Sequence, residues 1–176
     1  MIINNNLLSH KDLVSEHGIL YIVGTPIGNL GDISFRAIKT LQDVNTIACE
    51  DTRNTRKIII KYKINTALIS FNKDNSFKKI PKLIKDLNSG KSIALVSDAG
   101  MPGICDPGDD LVREVKKNNL NIICIPGPCA ATTALVKSGF NSSKFIFEGF
   151  LPRKKTKREK VIKNICSSEF TVILYE

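Results

Sequence analysis

The chain has 176 residues, of which 42% are hydrophobic, and a formal net charge of +9. This length allows one α/β domain with a well-packed core and some residues beyond it. The basic excess favours a polyanionic partner such as RNA or an anionic membrane surface. The longest apolar runs, such as Ile93 to Val96, are too short to cross a bilayer. We therefore expect no membrane span, and a cytoplasmic protein with a flexible extension over residues 1–18, which lack a secretory core.

The histidines and cysteines exclude several classes of enzyme. His10 and His17 both lie in the predicted extension, so the folded region offers no histidine for a catalytic triad. A general base there must be Asp, Glu, Lys, Tyr or Cys. The five cysteines show neither even pairing nor CxxC spacing, which is typical of reduced thiols. No cluster of ligands has the spacing of a metal site, and Cys129 has no histidine partner to activate it as a nucleophile.

Short β-branched runs alternate with longer helical patterns from Leu20 onward. Strands are predicted at Leu20–Gly24, Thr46–Cys49, Ala67–Phe71, Ser92–Ser97, Asn121–Ile125, Phe145–Phe147 and Thr171–Tyr175. Helices are predicted at Ile33–Gln42, Thr52–Lys61, Phe77–Leu87, Asp109–Lys117 and Ala130–Lys137. Alternation of this kind, with continuously apolar strands, predicts an α/β fold whose parallel sheet is covered on both faces.

The composition changes after Gly149. Residues 152–164 carry seven basic residues against one acidic residue. Val161, Ile162 and Ile165 have helical spacing, which predicts an amphipathic helix with one basic face. That face is either simply solvated or binds phosphates. We expect residues 19–148 to form an N-terminal α/β domain and residues 149–176 to begin a truncated second α/β domain.

Four loops that follow predicted strands are unusually rich in glycine, proline and acidic residues. They are Gly24–Asp32, Glu50–Arg53, Ser97–Gly108 and Pro126–Cys129. Ligands of open parallel sheets bind beyond the carboxyl ends of the strands, where these loops meet. A simple turn between a strand and a helix needs one glycine or one capping residue. The additional residues therefore indicate a binding site along this edge of the sheet.

The first two loops each allow a structural and a functional interpretation. Gly28 and Gly31 precede a helix with Asp32 as its predicted N-cap, so this loop is either a tight turn or an anion site. It contains neither a G-x-G-x-x-G nor a P-loop motif. The carboxylates of Glu50 and Asp51 either cap the next helix or accept a proton from a hydroxyl group.

The third loop combines Asp98-Ala99-Gly100 with a compact, irregular path to Gly108. Its small residues allow a ligand to approach the backbone, and the Asp98 carboxylate can accept hydrogen bonds from an amino or hydroxyl group. A purely structural loop would cost much conformational freedom, which favours the functional interpretation.

Together, five stretches resemble one known family. They are LYIVGTPIGNL at residues 20–30, ACEDTRNTRK at 48–57, ALVSDAGMPGICDPG at 94–108, IPGPC at 125–129 and GFLPRKK at 149–155. They are similar to the ribosomal small-subunit cytidine 2′-O-methyltransferase branch of the tetrapyrrole methylase superfamily, in the same order, from about Leu20 to Glu176. The resemblance implies methyl transfer from S-adenosylmethionine to the ribose 2′-hydroxyl of a cytidine in the decoding region of 16S ribosomal RNA. It also implies a two-domain fold with the cofactor in the cleft between domains, and a homodimer of the full-length protein.

The resemblance assigns residues to the two ligands. The cofactor would contact Pro26, Asp98, Ala99, Gly100, Gly103, Ile104, Cys105, Asp106, Cys129 and Leu151. The RNA would contact Asn29, Thr52, Arg53, Arg153, Lys154, Lys155, Lys157 and Arg158. We hypothesise that Glu50 or Asp51 is the proton acceptor.

Two other functions remain open from the sequence. The same fold would serve a methylase of a tetrapyrrole or of a diphthamide precursor, although the basic segment and the Glu-Asp-Thr-Arg stretch favour RNA. Alternatively, the chain would be a non-catalytic module that binds RNA or the ribosome. Such a module would bind RNA in a salt-sensitive manner without affinity for S-adenosylmethionine.

Overall fold

The computed structural model describes residues 17–176. The strands are β1 (Ile19–Val23), β2 (Thr46–Cys49), β3 (Ala67–Ser70), β4 (Ile93–Val96), β5 (Asn121–Ile125), β6 (Phe145–Phe150) and β7 (Thr171–Tyr175). The helices are α1 (Phe35–Asp43), α2 (Thr52–Lys61), α3 (Ser76–Asn88), α4 (Asp109–Lys117), α5 (Ala130–Ser138) and α6 (Lys155–Cys166), with a short 3-10 helix at Leu30–Asp32. All seven predicted strands and five predicted helices are therefore present, with ends that differ by up to three residues.

Five strands form one parallel sheet in the order β3-β2-β4-β1-β5. Tyr21 of β1 is paired with Ala94 of β4 on one side and with Ile123 of β5 on the other. The chain first runs outward from β1 to β3 and then returns to add β4 and β5. This reversal places the loops after β1, β2 and β4 next to one another, at the point where parallel sheets bind ligands.

Helices cover both faces of this sheet and explain its continuously apolar strands. Tyr21 and Val23 pack on the side of α1 and α2. Their neighbours Leu20 and Ile22 pack on the opposite side, with α3 and α4. Successive side chains of a strand point to opposite faces, so a strand between two helical layers must be apolar at every position. The predicted fold class is confirmed.

A second, smaller unit follows the five-stranded sheet. Strands β6 and β7 are parallel to each other, and Ile173 of β7 is buried with Ala131 and Leu135 of α5. The predicted helix with a basic face is α6, but its apolar side is only half covered. Val161 and Ile165 are partly buried. Within residues 17–176, no helix is both long and apolar enough to cross a membrane.

The structure corrects the predicted start of the first helix. Asp32 is not its N-cap but the last residue of the 3-10 helix, whose own cap is Asn29. Helix α1 begins three residues later, where the Ser34 hydroxyl accepts a hydrogen bond from the main-chain N–H of Ala37 at 3.1 Å. Serine competes well with aspartate as an N-cap, and Ile33 lies in extended backbone between the two helices.

The predicted N-terminal extension ends earlier than expected. Gly18 is buried, and its main-chain N–H donates to the carbonyl of Leu87 at 2.7 Å. The ring of His17 lies 3.3 Å from the carbonyl oxygen of Asn88. Both residues therefore contact the C-terminal end of α3. The remainder of the predicted extension, residues 1–16, lies outside the described residues.

Candidate functional site

The loops after β1 and β4 are joined by a short antiparallel bridge between Thr25 and Gly100. The N–H of Thr25 donates to the carbonyl of Gly100 at 2.9 Å, and the N–H of Gly100 donates back at 3.1 Å. The Thr25 side chain is fully buried, and its hydroxyl donates to the carbonyl of Ser97 at 3.1 Å. These contacts hold the Asp98-Ala99-Gly100 turn at the carboxyl end of the sheet.

The loops after β1 and β5 touch through two glycines. A Cβ atom on Gly24 would lie 2.7 Å from the Cα of Gly127, and one on Gly127 would lie 2.8 Å from the Cα of Gly24. Such distances are shorter than real carbon contacts, so only glycine fits at either position. Three of the four predicted site loops are therefore packed into one rigid edge.

A cleft of about 470 Å³ lies between this edge, α5 and the β6-β7 unit. We call it the donor cleft. It contains six of the predicted cofactor residues: Asp98, Ala99, Gly100, Ile104, Asp106 and Cys129. Its remaining walls are apolar or small residues from α5 and the second unit, together with Ile27, Met101 and Glu176. A volume of this size is usual for small-molecule and cofactor sites.

Four predicted cofactor residues do not line the donor cleft: Pro26, Gly103, Cys105 and Leu151. Pro26 is buried, and its neighbour Ile27 lines the cleft instead. Gly103 has φ +83°, which glycine adopts without strain, and serves the turn that leads to α4. The Cys105 thiol lies against Gly149, where an added Cβ would be 2.9 Å from the sulfur.

The donor cleft has an aromatic wall that was not predicted from the sequence. Phe150 and Tyr175 line it, with their ring centroids 5.5 Å apart in an edge-to-face arrangement. Both lie at the carboxyl ends of strands that the sequence predicts correctly or in part. The rule that ligands bind at the carboxyl ends of parallel strands, applied to β6 and β7, would have found them.

A second pocket of about 610 Å³ adjoins the donor cleft. We call it the acceptor pocket. Its walls come from the ends of β2, β3 and β4: Glu50, Asp51, Thr52, Arg53, Ser70, Asn72, Lys73, Asp74 and Asp98. It therefore brings together both candidate proton acceptors and two predicted RNA-binding residues. The other predicted RNA residues, Asn29 and the cluster from Arg153 to Arg158, are exposed and lie outside both pockets.

Asp98 belongs to the walls of both the donor cleft and the acceptor pocket. One of its carboxylate oxygens accepts a hydrogen bond from the main-chain N–H of Asp51 at 3.0 Å. The other accepts from the side-chain amide of Asn54, also at 3.0 Å. Asp98 thus ties the loop after β4 to the beginning of α2.

Glu50 is half-buried and surrounded by like charges. Burial raises the pKa of its carboxyl, and the nearby carboxylates of Asp106 and Asp98 raise it further. Burial also raises the pKa of Asp106. The ammonium of Lys73 opposes both shifts. A carboxylate that holds its proton more tightly than usual is a better proton acceptor near neutral pH.

Asp51 has a different environment, because Arg53 occupies its carboxylate. Oδ1 accepts from the main-chain N–H of Arg53 at 2.8 Å and from its Nε at 3.0 Å. Oδ2 accepts from Arg53 Nη2 at 2.6 Å. The Arg53 side chain and N–H lower the pKa of Asp51 to about 2. Such a carboxylate is a weak base, which favours Glu50 of the two candidates.

The two cations of the acceptor pocket differ in availability. Arg53 is paired with Asp51, although its side chain is 88% exposed. Lys73 is exposed, and its ammonium forms no hydrogen bond or ion pair with any of residues 17–176. Lys73 was not predicted as a site residue; the sequence offered only a lysine in a polar loop, which is a common surface feature.

Cys129 precedes α5 in the wall of the donor cleft. Burial opposes a charged thiolate there, but hydrogen bonds from the N–H and hydroxyl of Thr132 and the N–H of Ala131 outweigh this effect and lower the pKa of the Cys129 thiol.

Over the described residues, no three His, Cys, Asp or Glu side chains form a group suited to hold a metal ion.

Known proteins resemble this chain over nearly its whole length. The family model of the tetrapyrrole (corrin/porphyrin) methylases matches residues 19–176. A Thermotoga maritima protein named ribosomal RNA small subunit methyltransferase I is 49% identical over 159 residues, which are 90% of this chain and 71% of that protein. Proteins of the same name from Bacillus subtilis and Escherichia coli O157:H7 are 46% and 45% identical over 92% and 95% of this chain. The chain spans only 56% and 58% of their lengths.

Solved structures agree on the fold. Diphthine synthase superposes with a TM-score of 0.73 at 16% identity, over 90% of this chain and 64% of that protein. Uroporphyrin-III-C-methyltransferase from Thermus thermophilus superposes with a TM-score of 0.62 at 16% identity, over 83% and 72%. The family model and the curated relatives together show that the chain belongs to the tetrapyrrole methylase family, in the branch of proteins named ribosomal RNA small subunit methyltransferase I.

Proposed function

We propose that the protein to which this chain belongs transfers a methyl group from S-adenosylmethionine to the ribose 2′-hydroxyl of a cytidine in the decoding region of 16S ribosomal RNA. The observation that carries the proposal is the position of Asp98 in the wall shared by the donor cleft and the acceptor pocket. Methyl transfer requires two adjoining sites, because donor and acceptor atoms must be held within reacting distance. The names and identities of the relatives support the choice of ribosomal RNA.

The residues of the donor cleft fit S-adenosylmethionine. Apolar side chains such as Ile27 and Ile104 suit a purine ring, and the carboxylates of Asp98 and Asp106 suit groups that donate hydrogen bonds or carry positive charge. Gly100 has φ +83°, and a Cβ there would lie 3.4 Å from both Ile27 and the carbonyl of Pro128. Glycine adopts this backbone conformation without strain, so the turn can form a wall of the cleft. When bound, this cofactor supplies a methyl group on a positively charged sulfur.

Glu50 is our proposed proton acceptor. It lies in the acceptor pocket, and its raised pKa makes it a stronger base than an ordinary carboxylate. Removal of the proton leaves a more nucleophilic ribose oxygen. Glu50 would accept the proton that the 2′-oxygen loses when it takes the methyl group, while the carbon–sulfur bond of the donor would break and its sulfur would leave as a neutral thioether.

The basic cluster Arg153–Arg158 is the proposed contact for RNA phosphates outside the pocket. These side chains are exposed at the beginning of α6. A cationic surface outside the acceptor pocket would hold the RNA chain by its backbone while the pocket selects the target. The homodimer implied by the family resemblance remains a prediction.

The function is tested by mass mapping of 16S ribosomal RNA in a bacterial strain that lacks its own relative of this protein. The strain receives either the wild-type gene or its Glu50→Gln variant, and antibody detection confirms equal protein levels. A ribose methyl on a decoding-region cytidine with the wild type, and its loss with the variant, is the expected result. If purified wild-type protein methylates a porphyrinoid but not small subunits, the RNA assignment is wrong. If it binds RNA but has no affinity for S-adenosylmethionine, the protein is a binding module instead.

A further inference from the structure

We propose that Asp51 is a positioning residue that holds Arg53 in place for a phosphate of the RNA substrate. This inference rests on the proposed function and gives the two carboxylates of the Glu-Asp-Thr-Arg stretch different roles. Glu50 accepts the proton of the ribose hydroxyl, whereas Asp51 acts only through Arg53.

The geometry of the pair carries the inference. Three nitrogen atoms of Arg53, its main-chain N, Nε and Nη2, are within 2.6 to 3.1 Å of the Asp51 carboxylate. Paired contacts of this kind fix the guanidinium plane, since its donors lie in a rigid fork. Without Asp51, a side chain that is 88% exposed would sample many rotamers.

Arg53 retains free donors after this pairing. Nη1 has no hydrogen-bond partner among residues 17–176, and Arg53 lines the acceptor pocket. The side of the guanidinium away from Asp51 is therefore available to a phosphate or ribose oxygen. Asp51 is itself anchored, because its N–H donates to Asp98. The phosphate contact is thereby linked to the wall of the donor cleft.

Charge alone predicts the opposite effect of removing Asp51. The pocket already holds four carboxylates, Glu50, Asp51, Asp74 and Asp98, which repel RNA. Neutralising any one of them should strengthen RNA binding if only net charge matters. If Asp51 positions Arg53, its neutralisation weakens binding instead. The sign of the change therefore separates the two explanations.

The test measures the affinity of the purified chain for small ribosomal subunits from a strain without the methyltransferase gene, across a range of salt concentrations. Asp51→Asn is the main variant, because asparagine still caps a helix but cannot pair with arginine as an anion. Asp74→Asn is the matched control, since it removes the same charge from the same pocket without touching an arginine. Arg53→Ala and the double variant Asp51→Asn/Arg53→Ala complete the cycle.

We expect Asp51→Asn to weaken binding roughly five- to tenfold and Arg53→Ala about tenfold. The double variant should be no worse than Arg53→Ala. Both single changes should reduce the slope of log affinity against log salt by about one. Asp74→Asn should tighten binding, because it removes a carboxylate that repels RNA. Circular dichroism melts of each variant check that α2 remains folded.

Several outcomes would overturn the inference. Unchanged or tighter binding by Asp51→Asn would show that the carboxylate does not act through Arg53. If the losses of affinity in the two single variants add up in the double variant, Asp51 acts independently of Arg53. If the wild-type protein methylates the subunits but the mutant cycle is additive, the proposed function stands and only this inference is wrong. A wild type that binds S-adenosylmethionine but not the subunits would reject both.

Discussion

The carboxylate of Asp98 accepts a hydrogen bond from the main-chain N–H of Asp51 at 3.0 Å, and this contact joins the donor cleft to the acceptor pocket. The two residues are 47 positions apart in the sequence but close neighbours at the carboxyl ends of β2 and β4, which are adjacent strands. The same carboxylate also accepts from Asn54. A change at Asp98 should therefore affect both ligands.

Asp98→Asn should weaken the binding of RNA and of S-adenosylmethionine together. An asparagine side chain has one acceptor oxygen, so one of the two donors on Asp51 and Asn54 would face an NH₂ group instead. We expect losses of roughly three- to tenfold for each ligand, measured separately by calorimetry and by binding to small subunits. Asp110→Asn, on α4 outside both pockets, should change neither affinity. A loss confined to the cofactor would show that Asp98 does not link the two sites.

Thr25→Val should destabilise the fold through the bridge to Gly100. Valine has the shape of threonine but cannot donate to the buried carbonyl of Ser97. An unsatisfied buried carbonyl costs about 1–3 kcal/mol, which urea unfolding measures. Thr133→Val is the matched control, because its hydroxyl donates to the carbonyl of Cys129 at 2.7 Å on an exposed residue, where water replaces the bond. Equal effects of the two changes would contradict the structural role of Thr25.

The strands and the site loops were predictable because their signals are local. An apolar run such as Ile93–Val96 identifies a buried parallel strand without knowledge of its partners. No local signal in the sequence gives the order of the strands in the sheet. The hydrogen bond between Asp51 and Asp98 has no local signal either. The family resemblance predicts that Pro26 contacts the cofactor; in the structure Pro26 is buried and its neighbour Ile27 lines the donor cleft.

The start of α1 shows a second limit. Asn29, Asp32 and Ser34 are all acceptable N-caps, and they lie within six residues of one another. The fold uses Asn29 for the 3-10 helix and Ser34 for α1. Which residue caps which helix depends on how the preceding loop packs over the sheet, and propensity alone does not decide between them.

Glu50→Gln should make the protein more stable at neutral pH while reducing methyl transfer. The pKa of Glu50 is raised in the folded state, so the native state binds more protons than the unfolded state between the ordinary and the raised pKa. Stability therefore falls as the pH rises through this window. Glutamine removes the unfavourable charge, so thermal unfolding should show a higher Tm for the variant at pH 7. The difference should disappear as the pH falls below the ordinary range for glutamate.

The control for this change is Glu159→Gln on the exposed face of α6. It should leave the Tm unaltered at both pH values. A Glu50→Gln variant that is less stable than the wild type at pH 7 would show that the ionised carboxylate forms a favourable contact in the folded protein.

Lys73→Ala should weaken RNA binding by a loss of phosphate attraction. Its ammonium lies in the acceptor pocket without a hydrogen bond or ion pair among the described residues, so it is free to meet a phosphate. Loss of one phosphate contact reduces the slope of log affinity against log salt by about 0.7 to 0.9. Lys78→Ala removes the same charge from an exposed position on α3 outside this pocket. Equal changes in slope for the two variants would show that Lys73 contributes only to the general positive charge of the protein.

Cys129 should be the cysteine that reports on the donor cleft. Its lowered pKa gives it more thiolate at neutral pH than an ordinary cysteine, and thiolate is the form that iodoacetamide attacks. Mass spectrometry after brief alkylation should find Cys129 modified before the exposed Cys124 and Cys166. Because Cys129 lines the donor cleft, S-adenosylmethionine should slow its alkylation and leave that of Cys124 unchanged. Equal protection of all three thiols would indicate a general stabilisation of the fold, and no protection of Cys129 would place the cofactor outside this cleft.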